Sequence, residues 1–330
     1  MHIREVHLRK RPSGAATLDH FEIVTVDLPE PASGEVQVRN LWISVDPYMR
    51  GRMDTNDSYV EPFKLGAAME GGAIGEVVAS NDPTLHVGDL VRSYYGWREG
   101  FNAPAAELEK LSNLSFPPQA YLGSAGMPGL TAYIGLMRIA ELKADDVVFV
   151  SGAAGAVGTT AVQIAKARGN RVIGSAGGPA KTEFLRSLGC DEVIDYKAEP
   201  DFLAALRQAA PDGIDVCFDN VGGDQLDAAL AVARPYARFA LCGSIYMYNM
   251  EATRGPGHIW RAIDMQISLK GYICSDHLDM TADFYRDLGQ WHADGKIRLF
   301  ETVMEGIEIA PSAFLGLFTG QNVGKMLVKV

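Results

Sequence analysis

Asp146-Val147-Val148-Phe149-Val150-Ser151-Gly152-Ala153-Ala154-Gly155-Ala156-Val157-Gly158 decides the reading of this chain. A short apolar run with β-branched residues ends in a glycine-rich turn. The turn then opens a stretch with Val157, Ala161, Ile164 and Ala165 on one helical face, ending near Gly169-Asn170. Glycines let the chain turn tightly and let its backbone approach a pyrophosphate, whose charge the free N–H groups and positive dipole end of the new helix can hold. The spacing is GxxGxxG, a variant of GxGxxG. Small residues at such a spacing also serve plain strand–helix packing; the strand before and the helix after are what point to a nucleotide.

Working outward, the strand–helix rhythm repeats. A strand is expected at Arg171–Ser175, a helix from Pro179 to Leu188 and a short strand at Glu192–Ile194. A helix follows at Asp201–Ala209, then a strand at Ile214–Phe218 and a helix at Gln225–Ala233. Strands at Arg238–Cys242 and Ser268–Ile273 complete the set. Alternation of this kind implies βαβ units around a parallel sheet. Residues 1–125 differ: short apolar segments such as Glu35–Arg39 and Ala73–Val78 are punctuated by Gly, Pro and Asp, which indicates a mostly β region. The final strand-like segment, Lys325–Val330, is expected to return to that first domain.

The 330 residues suit two domains, and 47% apolar with 22% charged residues is the profile of a globular protein. No apolar run reaches the roughly 18 residues that span a bilayer, and the polar start Met1–Glu5 lacks a signal-peptide core, so no membrane role and a cytoplasmic address are expected. The net charge of −11 argues against a general nucleic-acid binder. Cys190, Cys217, Cys242 and Cys274 lie far apart in apolar stretches and read as free or buried thiols.

The end of the second strand distinguishes the dinucleotides. NAD sites usually place an acid there for the ribose hydroxyls. Gly174-Ser175-Ala176-Gly177-Gly178 contains no carboxylate, and Lys181 opens the next helix, where it can meet a ribose 2′-phosphate. A solvated helix lysine is the other reading, but the pattern favours NADP(H). HExxH, CxxC, GxSxG and GxxxxGK[ST] are all absent, so metal-hydrolase, serine-hydrolase and NTPase readings have no motif behind them. Hydride transfer needs none of these, because the cofactor carries the chemistry.

At this point the chain resembles the zinc-free medium-chain dehydrogenase/reductases, and within them the NADP-dependent alkenal/enone reductases. This branch includes the leukotriene B4 dehydrogenase/prostaglandin reductases, plant double-bond reductases and bacterial curcumin reductase. The resemblance rests on Val45–Met53, Gly126–Tyr133, the turn at 152–158, Asp219–Gly223, Cys242–Ile245 and Gly320–Lys325, in that order. It implies a GroES-like β-rich catalytic domain made of residues 1–125 and 297–330, with a Rossmann doubly wound α/β domain inserted at 126–296. Zinc-dependent relatives carry Cys near Asp46 and Gly-His-Glu near Ala68-Met69-Glu70; here only Glu70 matches, so no metal is expected.

The same resemblance places site residues. Gly155, Ala156, Val157 and Gly158 would cap the pyrophosphate, and Lys181 and Tyr196 would hold the 2′-phosphate. Asn220 would contact the ribose–phosphate portion. Cys242, Gly243, Ser244, Ile245 and Tyr248, with Tyr272, Ile273, Cys274 and Asn322, would line the nicotinamide end. Tyr48, Met49, Met127 and Tyr246 would form substrate-pocket walls, and Arg50 and Arg52 read equally well as structural ion-pair residues. The implied reaction is NADPH-dependent reduction of the C=C bond of a small α,β-unsaturated ketone or aldehyde: hydride to the β-carbon, then protonation of the enolate. Tyr248 is the implied proton donor, with Tyr246 a competitor and the cofactor ribose hydroxyl another source. A tyrosine in such a loop can also be plain packing. A quinone reductase of the same superfamily and a non-catalytic NADP(H)-binding protein are the rival readings. Family habit implies a homodimer, with the apolar edge near Ser268–Ile273 as its interface.

Overall fold

The computed structural model describes residues 1–55, 58–250 and 255–330. They form two compact units. One is Gly123–Phe300 with Val323–Lys325; the other is Met1–Leu122, Glu301–Asn322 and Met326–Val330.

The central unit carries six strands: β1 (Val147–Val150), β2 (Arg171–Ala176), β3 (Glu192–Asp195), β4 (Ile214–Asp219), β5 (Ala233–Leu241) and β6 (Ser268–Gly271). All are parallel, in the order β3-β2-β1-β4-β5-β6. This is the doubly wound order of a Rossmann fold, in which the chain reverses direction across the sheet between β1 and β4. The first five strands are connected by α1 (Ala156–Ala167), α2 (Pro179–Ser187), α3 (Phe202–Ala209) and α4 (Gly223–Val232), and the short helix Arg261–Asp264 precedes β6. Asp201 caps α3 by accepting from the Ala204 amide at 2.9 Å. On one face of the sheet, Phe149, Ile173, Leu206, Cys217, Leu230 and Phe239 pack into a closed core. Strands buried on both faces explain the continuous apolar runs in the sequence.

Several boundaries differ from the sequence expectation, and at two of them the contacts give the reason. Ala233 ends no helix; it begins β5, and the pairing with β4 slips between Ile214↔Ala233 and Val216↔Arg238. Tyr236, at φ +65°, sits inside that irregular stretch. At the other edge β6 stops at Gly271, because Tyr272 leaves the ladder to donate its hydroxyl to the Thr131 carbonyl.

The second unit is built around the long strand Glu35–Ser44, which pairs antiparallel with Ala73–Ser80 and Gly100–Pro104. Leu327, Val328 and Lys329, at the other end of the chain, pair with Ser44, Ile43 and Trp42. The sheet has seven strands, and His2–Leu8 and Phe21–Asp27 form a separate antiparallel pair. Buried Trp97 stacks on Phe21 at 6.0 Å, and Phe314 from the helix Ala310–Thr319 packs edge-on against both. The two sheets and that helix therefore share one aromatic core.

Candidate active site

The glycine turn leaves the carboxyl end of β1 beside the point where the sheet order reverses, where open α/β sheets bind ligands. Gly152 has φ +57°, a left-handed conformation that favours glycine. A Cβ on Gly158 would come within 2.7 Å of Ala153 Cα and 2.9 Å of its carbonyl carbon, so this glycine serves close helix–strand packing. Gly155 differs: a Cβ there would meet only the Gly152 carbonyl oxygen, at 3.4 Å, leaving open space at the start of α1. That opening, at a helix end whose first N–H groups lack acceptors in the helix, fits a pyrophosphate. Gly324 closes the turn from the far end of the chain, donating its amide to the Ala154 carbonyl at 2.9 Å.

Ser175, where an NAD enzyme carries its acid, is fully buried. Its hydroxyl donates to Gln225 Oε1 at 2.6 Å and accepts from the Gly152 amide at 3.3 Å. It is locked inside the sheet and offers nothing to a ribose. The chain then passes Gly177 and Gly178 (φ +95°) into α2. Lys181 lies in the first turn of α2, half-buried; desolvation, and then the charge of Lys197, pull its ammonium below the usual lysine range. Tyr196 is 40% exposed and lies against Gly177. Burial pushes its phenol up. Lys197 is the residue that sequence reasoning missed here, although Asp195-Tyr196-Lys197 carried the signal.

Beyond β4 a buried carboxylate organises the loop. Asp219 accepts from Ser151 Oγ at 2.6 Å and from the Val221 and Gly222 amides at 3.0–3.2 Å. Burial nevertheless raises its pKa. Asn220 is fixed in turn: its amide donates to Ser151 Oγ at 2.8 Å, and its side chain donates to the Ser151 carbonyl at 2.7 Å. Sequence reading named Asn220 but not Ser151 or Asp219, which hold it.

The Cys242–Tyr248 loop is strapped to this same turn. The Cys242 and Gly243 amides donate to the Asp219 carbonyl, Ile245 to that of Asn220 and Tyr246 to that of Val221, at 2.8–3.3 Å. Tyr246 is 46% exposed and its ring lies on Gly223, where a Cβ would be 2.7 Å from the ring edge. Gly222 leaves room for Ser244 in the same way. Tyr248 folds back over its own loop, its hydroxyl 3.8 Å from where a Gly243 Cβ would stand. Burial raises its phenol pKa, while the Ser244 amide draws it the other way.

Tyr272, Ile273 and Cys274 follow β6. The Tyr272 hydroxyl donates to the Thr131 carbonyl at 2.9 Å and also meets the Cys242 thiol; burial holds that phenol well above its usual range. Burial pushes the Cys242 thiol up to about 12. Cys274 pairs with the Thr131 side chain, and burial raises its thiol too. Thr131 belongs to the helix Met127–Ile134, in which Met127 is 42% exposed. The helix runs on into a π-helical turn at Gly135–Ile139, an uncommon feature that recurs at functional sites.

In the other unit Tyr48 is largely buried beside Asp46, and burial holds its phenol above the usual range. Met49 is fully buried in the core of that unit. Asn322 is also buried. Arg50 pairs with Asp54 at 2.8 Å and donates to the Gly14 carbonyl, and Arg52 pairs with Glu70 at 2.7 Å and lies over Phe63. Both arginines are structural, and the Glu70 carboxylate is engaged with one of them. Among the described residues no group of three or more His, Cys, Asp or Glu is placed to hold a metal ion.

Residues 4–111 match the family described as the N-terminal domain of oxidoreductase, and residues 156–290 the family described as zinc-binding dehydrogenase. The chain is 40% identical to the NADP-dependent 2-alkenal reductase of Nicotiana tabacum, covering 99% of this chain and 97% of that one. It is 38% identical to the NADPH-dependent curcumin reductase of Escherichia coli, covering 98% and 95%. The crystal structure of CurA from Vibrio vulnificus in complex with NADPH is 40% identical and superposes with a TM-score of 0.94, covering 99% of each chain. The chain therefore belongs to the medium-chain dehydrogenase/reductase superfamily, in its NADP-dependent alkenal/enone reductase branch.

Proposed function

We infer that this protein is an NADPH-dependent oxidoreductase that reduces the C=C bond of small α,β-unsaturated ketones and aldehydes. The observation that carries the reading is that one unit brings together an open glycine turn, an acid-free second strand end followed by Lys181, and a half-buried tyrosine loop strapped to Asp219–Val221. When bound, NADPH supplies the hydride for the carbon β to the carbonyl.

The chain's own residues do the rest. Ala156 to Gly158 offer backbone N–H groups to the pyrophosphate beside the open space at Gly155, whose own amide donates to the Gly152 carbonyl, and Lys181 with Tyr196 receives the 2′-phosphate. Asn220, fixed by Ser151, faces the ribose–phosphate portion. The Cys242–Ile245 stretch and Tyr272–Cys274 line the nicotinamide end, and Met127 and Tyr246 take the substrate. Met49, buried in the core, backs Tyr48 rather than touching substrate. Fixed donors stabilise charge developing on the carbonyl oxygen. Tyr248, kept protonated by burial, holds the proton that completes the enolate.

The protein acts as a cytoplasmic homodimer in this reading. The cysteines are free thiols, as suits a reducing compartment. β6 is an edge strand, and Ile259, Trp260 and Ile263, just before it, are 47%, 53% and 82% exposed. Among the described residues no helix is long and apolar enough to cross a membrane.

The test is oxidation of NADPH, and separately NADH, followed at 340 nm with 3-nonen-2-one, the matched saturated ketone and a quinone. NADPH consumption with the enone and recovery of the saturated ketone is the expected result. Turnover of the quinone alone, or none at all, overturns the reading, and a monomeric mass at micromolar concentration overturns the dimer.

A further inference from the structure

We propose that Lys197 is the second cation of the ribose 2′-phosphate site and that Asp195 is the residue that positions it. The proposal rests on the NADP(H) reading above and adds two residues to it.

The geometry begins with one carboxylate oxygen. Asp195 Oδ1 accepts from the Gly178 amide at 2.9 Å and from the Lys197 amide at 3.0 Å. A single acceptor therefore ties the turn that enters α2 to the segment that leaves β3. The Tyr196 amide, donating to the Ala176 carbonyl at 3.1 Å, makes the same connection one residue earlier. With the backbones fixed, both side chains fold back over the turn. A Cβ built on Gly177 would lie 2.7 Å from Tyr196 Cζ and 2.9 Å from Lys197 Cε. The lysine stem thus crosses the glycine turn that precedes Lys181, close enough for its charge to act on the Lys181 ammonium.

Among the described residues neither lysine makes a hydrogen bond or an ion pair through its ammonium, and Oδ1 of the neighbouring Asp195 carboxylate is taken up by two backbone amides. Two like charges held together without a counter-ion disfavour each other. A phosphate monoester carrying nearly two negative charges relieves that repulsion and accepts from both. One lysine would neutralise half of such a group. Two, with the Tyr196 hydroxyl and the positive end of α2, match it. Lys181→Ala alone would then leave part of the preference for the phosphorylated cofactor in place.

The experiment is isothermal titration of the full-length chain with 2′,5′-ADP and with 5′-AMP, which differ by the 2′-phosphate alone. Lys197→Ala is expected to weaken 2′,5′-ADP about tenfold, or about 1.4 kcal/mol, while 5′-AMP changes by less than about twofold. The salt dependence of 2′,5′-ADP binding should fall as well. Asp195→Ala should weaken 2′,5′-ADP, whereas Asp195→Asn, whose side-chain oxygen still accepts from both amides, should restore it. Equal losses on both ligands, or none, in Lys197→Ala overturn the lysine assignment, and equal losses in Asp195→Ala and Asp195→Asn overturn the positioning role. Equal binding of the two ligands by the unmodified protein overturns the NADP(H) reading itself, a result that the variants do not mimic.

Discussion

The Tyr272 hydroxyl donates to the Thr131 carbonyl at 2.9 Å, joining the loop after the last parallel strand to a helix 141 positions earlier in the chain. The contact is possible because Gly135 has no side chain. A Cβ there would overlap both the Tyr272 hydroxyl and Phe218 Cε2. Gly135→Ala is therefore expected to destabilise the protein by about 1–3 kcal/mol, the usual range for an overpacked core. Denaturant unfolding should show a lower midpoint, and a midpoint equal to that of the unmodified protein would refute the close packing.

Gly155 and Gly158 should separate binding from folding. Gly158→Ala drives a Cβ into the Ala153 backbone, so it should lose stability and NADPH binding together. Gly155→Ala meets only ordinary contact, so its unfolding midpoint should stay within about 0.5 kcal/mol of the parent, as for unstrained sites. NADPH affinity should nevertheless fall, because the added methyl occupies the space that a pyrophosphate needs. Thermal melts with and without NADPH distinguish the two variants.

Tyr248→Phe should lower kcat by about 10²–10⁴-fold, the usual worth of a positioned acid, with NADPH affinity unchanged. The pH profile follows from the raised phenol pKa. The protonated form is the active one, so the rate should show no fall from this group as pH rises to about 10, the ordinary tyrosine value. Stability has the same sign. Tyr48, Tyr133, Tyr248 and Tyr272 all have folded pKa values above the unfolded one. Their contribution is complete below about pH 10 and is lost as pH climbs through the folded values. Alkaline unfolding monitored by circular dichroism should therefore begin only beyond that point.

The four thiols should be nearly inert in the folded chain. Burial pushes Cys190 and Cys242 up to about 12 and raises Cys217 and Cys274. Thiolates are the reactive species, so a thiol reagent at pH 8 should label the native protein slowly and all four cysteines after denaturation. Fast native labelling of Cys242 would contradict its burial. For an enzyme of electrophilic enones this inertness is protective, since a thiolate there would itself add to the substrate.

The parallel sheet was legible because its strands are buried on both faces and written as unbroken apolar runs; α1 to α3 began and ended within a residue or two of their expected limits. What escaped was set by distant contacts. Nothing local says that β5 starts at Ala233, because the slip against β4 decides it. Met49 reads as an apolar residue in a motif, and only the packed core shows that it faces inward. The helices Thr281–Ala293 and Ala310–Thr319 lie where strong glycine and motif signals are sparse. Asn220, Lys181 and Tyr196 are candidates that the sequence names, whereas Asp219, Ser151 and Asp195, which hold the segments around them, act through carboxylate and hydroxyl contacts that spacing does not reveal.

Gly324 gives the glycine turn a consequence for biosynthesis. Its amide supplies the hydrogen bond to the Ala154 carbonyl, and it can do so only at φ +67°, against the Phe300 backbone. Residues 152–158 emerge from the ribosome long before residue 324 is made. A nascent chain can pair its parallel strands early, yet the glycine turn stays open at Ala154 until residue 324 is made. Closure of the turn is thereby deferred until that residue is made, and a chain truncated before Gly324 would carry the sheet with the turn unclosed at Ala154.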